Sequence, residues 1–196
     1  MKAFPKQMTK HLLFYLFALV ASFVLAACEG VGTSMSLATP TPHVPIGAMK
    51  TYSTFGYTIR YPAGWMRKEI TADWVLFSDT ANDYNMAIFS KPNPEGRISA
   101  DEVAEHGLIA LRDRQPVHLP LTIRLAGQRW SQRAAIGWFY GYSKRGLLEL
   151  VSLATNPTQS SGTVTYSIIY DAPASKFDQA VKLYFTPMLQ SFRFTA

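Results

Sequence analysis

Near the C-terminus, apolar residues recur with the spacing of one α-helix. They fall at i, i+3, i+4, i+7, i+8, i+11, i+12 and i+15, which places them on a single stripe; these residues are Phe177, Ala180, Val181, Tyr184, Phe185, Met188, Leu189 and Phe192. Most of the stability of such a helix comes from packing its stripe against another apolar surface. We therefore predict a helix from Ser175 that lies on a sheet. Pro187 cannot donate to the carbonyl of Leu183, so we expect the last turns to kink or fray.

The segments before this helix show the two-residue alternation of β-strands. Tyr57, Ile59 and Tyr61 alternate with polar residues, and the turn sequence Pro-Ala-Gly follows them. The same reasoning predicts strands at 65–70, 74–78, 85–91, 121–125, 129–143, 147–155 and 163–170. Strands, a helix, a long meander and a final helix together predict an α+β fold, a curved antiparallel sheet flanked by helices.

The first of the two helices has a clear start signal. Ser99 and Glu102 form a capping box, in which each side chain binds a backbone N–H of the first turn. An apolar stripe follows, made of Val103, Ala104, Gly107, Leu108 and Leu111. We predict a helix that begins at Ser99, ends at Pro116 and places His106 on its solvent side.

The chain begins with the pattern of a secretory signal peptide. Basic residues precede an uncharged apolar run at 12–25, and two small residues follow it. We predict that residues 1–27 are a signal peptide and that the domain is extracytoplasmic, because the basic end stays in the cytoplasm. Simple secretion and an uncleaved membrane helix are the alternatives, since the run up to Cys28 is near the lower limit of about 17 residues that span hydrocarbon.

Cys28 is the chain's only cysteine, so it forms no internal disulfide. With Leu25, Ala26 and Ala27 it resembles the lipobox of bacterial lipoproteins. The resemblance implies cleavage before Cys28, diacylation at its sulfur and acylation of its new amino group. Two or three acyl chains would anchor the protein to the membrane essentially permanently. A buried apolar residue and a catalytic thiolate are the other interpretations of Cys28, and a thiolate needs a base beside it.

The residues after Cys28 are rich in Gly, Ser, Thr and Pro and nearly free of large side chains. Such a composition does not bury enough apolar area to offset the entropy of ordering the chain. We predict a flexible tether at 28–48, whose Thr-Pro-Thr-Pro part is stiffened toward polyproline II. Residues 49–196 have the length of one globular domain.

Two stretches of this domain resemble the PsbP-like group. They are FGYTIRYPAGW at 55–65 and FDQAVKLYFTPMLQSFRF at 177–194. The group includes the extrinsic photosystem II subunit, the Ran-binding Mog proteins and many bacterial lipoproteins. The resemblance implies an α/β/α sandwich and a function in docking on other proteins. Determinants for Ran or for a manganese cluster have no match in this sequence, so neither partner is implied.

The sequence contains no familiar catalytic or nucleotide-binding motif. It lacks G-x-S-x-G, the P-loop, H-E-x-x-H and G-x-G-x-x-G. His106 and His118 are far apart without a cysteine partner, and the acidic turn at 79–85 lacks the spacing and glycine of an EF-hand. We therefore expect no catalytic residue, no metal and no cofactor.

The charge of the chain is mildly basic. The formal net charge is +6, and it falls to +3 without the signal lysines Lys2, Lys6 and Lys10. The remaining basic residues occur singly rather than in a block, which argues against nucleic acid as a partner and is compatible with anionic lipid headgroups.

The predicted meander determines which side chains share a face. A two-residue turn at 144–145 would pair Tyr140 with Glu149 and Trp138 with Val151, and a longer turn at 156–162 would place Val151 beside Ser167. One face is then apolar and contains Phe139, Leu150, Ile168, Ala135, Ala154, Val164, Gly137 and Tyr166.

The opposite face mixes aromatic and polar side chains. It contains Trp138, Tyr140, Tyr142, Glu149, Thr165 and Ser167. Aromatic walls with a few polar groups are typical of ligand sites. We predict that Trp138, Tyr140 and Glu149 form a recognition surface; the alternative is that the second helix covers them. For Glu149, an edge position or a bond to Tyr140 is the alternative to a functional acid.

These features favour an extracytoplasmic, lipid-anchored protein that acts as a noncatalytic binding or accessory module of an envelope or membrane protein complex. The expected partners are the membrane, through acyl chains on Cys28, and an unidentified protein. A carrier of a small apolar or aromatic ligand is the alternative, suggested by the aromatic content of 13%. A hydrolase with an unfamiliar site is a third possibility.

The lipobox resemblance predicts the effect of replacing its cysteine. Cys28→Ala should leave the domain folded but move it from the detergent phase to the aqueous phase in phase partition, or leave an unprocessed precursor in the membrane. Intact mass and metabolic labelling with palmitate distinguish these outcomes. Normal processing and acylation of the alanine variant would refute the anchor.

Overall fold

A computed structural model describes residues 48–54, 56–140, 145–159 and 162–195. The predicted signal peptide, Cys28 and nearly all of the predicted tether lie outside these ranges. The backbone divides into two compact units, one made of 42–139 with 146–196, and the other of 1–41 with 140–145. Of the second unit the described ranges contain only Tyr140 and Arg145. In the described residues, every helix is too short or too polar to cross a membrane.

Twelve strands and three short helices occur in the described ranges. In chain order the strands are β1 (Met49–Thr54), β2 (Tyr57–Pro62), β3 (Met66–Thr71), β4 (Trp74–Ser78), β5 (Asn85–Pro92), β6 (Arg112–Pro116), β7 (Thr122–Leu125), β8 (Gln128–Tyr140), β9 (Arg145–Thr155), β10 (Thr158–Gln159), β11 (Gly162–Pro173) and β12 (Arg193–Phe194). The helices are α1 (Ala100–His106), α2 (Phe177–Ala180) and α3 (Thr186–Ser191).

The strands form two antiparallel sheets. The larger sheet follows the order β3-β4-β5-β11-β9-β8-β6, with β10 paired to β11 and β7 paired to β8. The smaller sheet has the order β1-β2-β12. The prediction of an α+β fold dominated by an antiparallel sheet is confirmed, and the second, smaller sheet was not predicted.

Local sequence patterns explain most of the strands. Tyr57, Ile59 and Tyr61 are buried on one side of β2 as predicted, and the chain turns after Pro62. The predicted strands at 65–70, 74–78 and 85–91 correspond to β3, β4 and β5. Ala126 and Gly127 join β7 to β8 with φ angles of 50° and 78°, the left-handed conformation that two-residue hairpin turns require.

The C-terminal apolar stripe forms a helix of mixed geometry, here called the terminal helix. A 3₁₀ turn (Ala174–Lys176) leads into α2, a π turn (Val181–Phe185) follows, and α3 ends at Ser191. Burial confirms the stripe. Its fully or nearly fully buried members are Phe177, Ala180, Tyr184, Phe185, Met188 and Phe192.

Pro187 is accommodated by an irregular turn of this helix rather than by fraying. The N–H of Thr186 bonds to the carbonyl of Val181, five residues earlier, and so widens the turn just before the proline. Such widening relieves the clash of a proline ring with the preceding carbonyl groups. Of the two predicted effects, a kink or fraying, fraying does not occur, because the helix continues to Ser191, and the irregularity lies in the π turn.

The first predicted helix is shorter than expected. Its cap is confirmed, because the Ser99 hydroxyl accepts from the Glu102 N–H at 3.1 Å, but α1 ends at His106. Residues 112–116 form the edge strand β6 instead of the helix that was predicted to reach Pro116. These residues include no apolar side chain that would hold them on a helix, whereas the edge of β8 offers backbone hydrogen bonds. An edge strand also tolerates Pro116.

The apolar stripe of α1 nevertheless packs on the sheet as predicted. Ala104, Leu108 and Leu111 are buried, the last two in a small core cluster with Leu148 and Leu150. A Cβ on Gly107 would overlap the Ser152 hydroxyl, so this glycine allows the close approach of α1 to β9.

The predicted register between β9 and β11 is wrong by three residues. Val151 lies beside Tyr170, not Ser167. The physical reason is the short strand β10, which extends β9. It pairs with β11 in the same register as β9, with Thr158 beside Thr163. The connection is therefore much shorter than the predicted turn at 156–162.

An odd shift exchanges the two faces of β11. Tyr166 and Ile168 therefore face the terminal helix together with Leu153, whereas the prediction placed them on the face of Leu150. Ser167 lies beside Ala154 on the α1 side of the sheet.

The predicted register between β8 and β9 is also wrong. The predicted register sets Thr155 opposite Ala134. In the structure, the Thr155 hydroxyl donates to the Arg129 carbonyl at 2.8 Å. Those two positions on β8 are separated by about 16 Å at 3.3 Å per residue. The bond therefore places Thr155 near Trp130, and counting along the strands places Trp138 near Leu147 rather than Val151.

The buried stripe predicts unequal effects of two helix substitutions. Phe185 is fully buried, with ring centroids 4.8 Å from Tyr170 and 6.3 Å from Trp65. Phe185→Ala should lower the free energy of unfolding by about 3 to 5 kcal/mol. His106, a partly exposed residue of α1, should change it by less than about 0.5 kcal/mol when replaced by alanine. Equal shifts in urea denaturation would show that the stripe is assigned to the wrong face.

Candidate recognition surface

Two large apolar side chains are exposed on the side of the sheet that carries the terminal helix. Trp138 on β8 is 44% exposed and Leu147 on β9 is 44% exposed. The alternation of each strand fixes this side, because Ala134 on β8 and Val151 on β9 belong to the main core beneath the terminal helix. Trp138 also lies beside Arg112 of the edge strand β6. Three adjacent strands thus carry Arg112, Trp138 and Leu147 at one end of the sheet.

Glu149 lies on the same side, two residues along β9 from Leu147. Its side chain is half-buried, and its backbone is paired with Ala172 of β11. Burial raises the pKa of the Glu149 carboxyl, and the nearby Asp178 carboxylate raises the pKa further. Among the described residues, no Lys, Arg or His nitrogen lies within 4.0 Å of this carboxylate. Within the described part of the chain, Glu149 is therefore a carboxyl group without an ion-pair partner.

The charge of Glu149 also affects Tyr170, a side chain of the main core. Burial raises the pKa of the Tyr170 hydroxyl, and the charge of Glu149 adds to that increase. Since Tyr170 also packs against Phe185 and Phe177, Glu149 lies at the border between the main core and the exposed apolar side chains.

The third predicted residue, Tyr140, is the last residue of β8 and is 57% exposed. It belongs to the second compact unit. The residues of the large unit that form the candidate recognition surface are Trp138, Leu147 and Glu149. Thr165 and Ser167, which were predicted on the same face as Trp138, lie on the opposite side of the sheet because of the register shift.

Sequence reasoning missed Leu147 and Arg112 as neighbours of Trp138. Leu147 was paired with residue 142 because the connecting turn was assigned to 144–145, whereas β8 ends at Tyr140 and β9 begins at Arg145. Arg112 was assigned to a helix. A signal was available for Arg112, because the apolar stripe of α1 stops at Leu111.

Both edges of the large sheet are poor templates for an added strand. The exposed edge strand β3 carries Arg67, Lys68 and Glu69. At the other edge, β6 contains charged residues, Pro116, and a register irregularity at Asp113, whose φ is 51°. Charges, proline and bulges discourage pairing with another chain. Recognition through side chains is therefore favoured over strand addition.

The aromatic side chains that suggested a ligand carrier are mostly packed together in the core. Buried aromatic residues include Tyr52, Tyr57, Tyr61, Trp65, Phe77, Trp130, Tyr166 and Phe192. The described residues contain no cluster of three or more His, Cys, Asp or Glu side chains suited to a metal ion. The aromatic content thus has a structural explanation, and Trp138 and Tyr140 are the exposed aromatic side chains in the described part of the domain.

Comparison with known proteins assigns no family. No family model matches the sequence, and no curated protein is significantly similar to it. Among solved structures, the chain is similar to LpqN of Mycobacterium tuberculosis, which is described as involved in cell envelope biogenesis. The identity is 13%, the match covers 76% of this chain and 91% of that chain, and the TM-score is 0.48. Similarity at this level transfers neither fold family nor function.

The raised pKa of Glu149 predicts a pH-dependent effect on stability. Between the unfolded value, about 4.3, and the higher folded value, the folded state binds more protons than the unfolded state. The contribution of Glu149 to stability is therefore largest below the unfolded pKa and is lost as the pH rises through the folded pKa. The glutamine of the Glu149→Gln variant does not titrate, so the variant does not lose stability in this way. Its stability relative to the wild type should therefore increase as the pH rises from 4 to 7.5.

Thermal unfolding at several pH values tests this prediction. Glu69→Gln, on the exposed edge strand β3, makes the same chemical change away from Asp178 and serves as the control. A Glu149→Gln variant whose stability difference from the wild type does not change with pH would contradict the assigned environment.

Proposed function

We propose that this protein is an extracytoplasmic, lipid-anchored, noncatalytic binding module of an envelope or membrane protein complex. The observation that carries the proposal is the recognition surface, where Trp138 and Leu147 are each nearly half-exposed beside the half-buried Glu149. Large aromatic side chains are the residues that most often dominate the binding energy of protein interfaces. Their exposure at one end of the sheet supports contact with another protein.

The chemistry of the surface suggests the kind of group that it recognises. Burial and the nearby Asp178 both disfavour the charged form of Glu149, and the described residues give it no ion-pair partner, so a cation from a partner protein would lower the cost of two neighbouring carboxylates. Trp138 and Leu147 supply apolar area around that position. We infer that the partner presents a lysine or arginine flanked by apolar side chains.

The anchor in this proposal is acylated Cys28. It rests on the resemblance of residues 25–28 to a lipobox after a signal-like segment. A tether of 28–48 extends by at most about 3.3 to 3.6 Å per residue. The domain would therefore search a shallow layer above the membrane, which raises its effective concentration toward partners in the same membrane.

A PsbP-like α/β/α sandwich is the finer assignment of the fold that we propose. The terminal helix on one side of the large sheet and α1 on the other agree with that layer order. The group is best known for docking on other proteins, which is consistent with a binding function and gives no catalytic residues.

Capture experiments should reveal the importance of Trp138. The lipid-anchored protein and its Trp138→Ala variant are crosslinked in membranes, purified and compared by quantitative mass spectrometry. Loss of an aromatic anchor at an interface costs about 2 kcal/mol or more, so recovery of the partner should fall more than about tenfold.

Met66→Ala is the matched control, because Met66 is 52% exposed on the edge strand β3, which is remote from β8 in the strand order. It should retain the partner. Equal recovery with Trp138→Ala, or no stoichiometric protein with the wild type, would contradict the proposed function. A bound small molecule released on extraction of the purified protein would instead favour the ligand carrier.

A further inference from the structure

A second surface, at the other end of β8, has a different chemistry. In the hairpin of β7 and β8, Arg124 and Arg129 are directly opposite each other and both are exposed. Like charges in this position repel, so the pair destabilises the hairpin. Among the described residues neither guanidinium forms an ion pair, whereas Arg67, Arg97, Arg114 and Arg133 each have an acidic partner.

The hairpin holds this arginine pair in a fixed position. Its inner side is part of the main core, where Trp130 is fully buried and Leu125 is nearly so. The Trp130 indole N–H donates to the Leu125 carbonyl at 3.0 Å, across the two-residue turn. Burial of the inner side therefore directs Arg124 and Arg129 to the outer side.

Exposed leucines lie immediately before the hairpin. Leu119 is 39% exposed and Leu121 is 66% exposed. The chain leaves the sheet edge between two backbone bonds, from the Val117 N–H to the Ala134 carbonyl at 3.0 Å and from the Gln132 N–H to the Leu121 carbonyl at 2.8 Å. The intervening loop thus projects beside β8. Leu121 lies beside Gln132, on the core side of this edge, and is within about 10 Å of Arg124 along the chain, so leucines and arginines border the same edge from its two sides.

The charge around this edge has one sign. Residues 114–148 contain no Asp or Glu. The acidic residues that approach from α1, Asp101 and Glu105, are engaged by Arg133 and Arg114 at 3.4 and 3.5 Å. Arg124 and Arg129 are left to interact with an external anion.

We propose that this edge, made of Leu119, Leu121, Arg124 and Arg129, docks on the surface of an anionic phospholipid bilayer. Peripheral proteins contact such membranes with two kinds of side chain. Leucines enter the boundary between headgroups and acyl chains, and arginines bind phosphate. A bilayer is broad and flat enough to engage residues spread over about 10 to 15 Å along a strand. The docking would orient the domain and is independent of acylation at Cys28.

A fluorescent probe at the hairpin tests this contact. The full chain with Cys28→Ser and Gln128→Cys carries a single thiol at the exposed residue beside Arg129, which is labelled with nitrobenzoxadiazole. The protein is reconstituted in vesicles of phosphatidylcholine, with or without phosphatidylglycerol. We expect the uncleaved apolar segment at 12–25 to hold the chain on both kinds of vesicle. The readout is therefore the environment of the hairpin rather than the amount of bound protein.

The probe should shift to the blue and brighten only on vesicles that contain phosphatidylglycerol. About 1 M NaCl, where the Debye length is about 3 Å, should abolish the shift. Arg124→Gln with Arg129→Gln should abolish it too. Lys50→Gln with Lys182→Gln removes the same charge from exposed residues of β1 and the terminal helix, and should leave the shift intact.

Three results would overturn the proposal. One is an equal shift on both vesicles, and another is an equal loss in the two double variants, which would reflect net charge alone. The third is the same shift with soluble glycerol phosphate, which would indicate a phosphate site rather than a bilayer surface. Because Cys28 is replaced throughout, a negative outcome would not bear on the proposed anchor or on the recognition surface.

Discussion

The packing of Phe192 connects the main parts of the domain. This fully buried ring follows the last turn of the terminal helix and stacks on Tyr57 of the small sheet, with ring centroids 5.3 Å apart. It also meets Trp130 of the large sheet edge-on at 5.6 Å. Phe194 continues the contact from β12 to Tyr166 at 5.0 Å. The path of the terminal helix therefore determines how the two sheets share one core.

The position of the terminal helix in turn determines what stays exposed. Its first part packs on β11, and its later part packs on β2 of the small sheet. The helix thus extends from β11 toward the small sheet, and at the outer end of β8 and β9 the side chains of Trp138 and Leu147 remain exposed. The same strand β8 presents the arginine pair at its other end. One long strand therefore carries two surfaces of different chemistry, one aromatic beside a carboxylate and the other cationic beside leucines.

Local patterns in the sequence were sufficient for most elements. The alternation around Ile59 and the helical spacing around Phe185 identified buried faces because burial of apolar area depends on periods of two and 3.6 residues. Such patterns do not show which distant segments pair with each other. The two-residue strand β12 is too short to be recognised, and it forms the small sheet only because Phe192 and Phe194 are held in the core.

The recognition surface shows the same limit more clearly. Trp138 and Glu149 were placed on one side of the sheet by alternation within each strand, which the structure reproduces. The prediction of their neighbours depended on the assumed lengths of two turns, and both lengths were wrong. These errors changed the partners of Val151 and the face on which Ser167 lies. Leu147 was therefore assigned to the wrong neighbour. Alternation survives an error in turn length, but register does not.

Photocrosslinking in living cells measures directly whether the exposed end of β8 and β9 contacts a protein partner. A benzoylphenylalanine residue replaces Leu147 in the otherwise unchanged chain, and a second protein carries it at Met66, on the opposite edge of the sheet. We expect a discrete protein adduct of defined mass from position 147 and none from position 66. The absence of an adduct at position 147, or identical adducts from both positions, would contradict it.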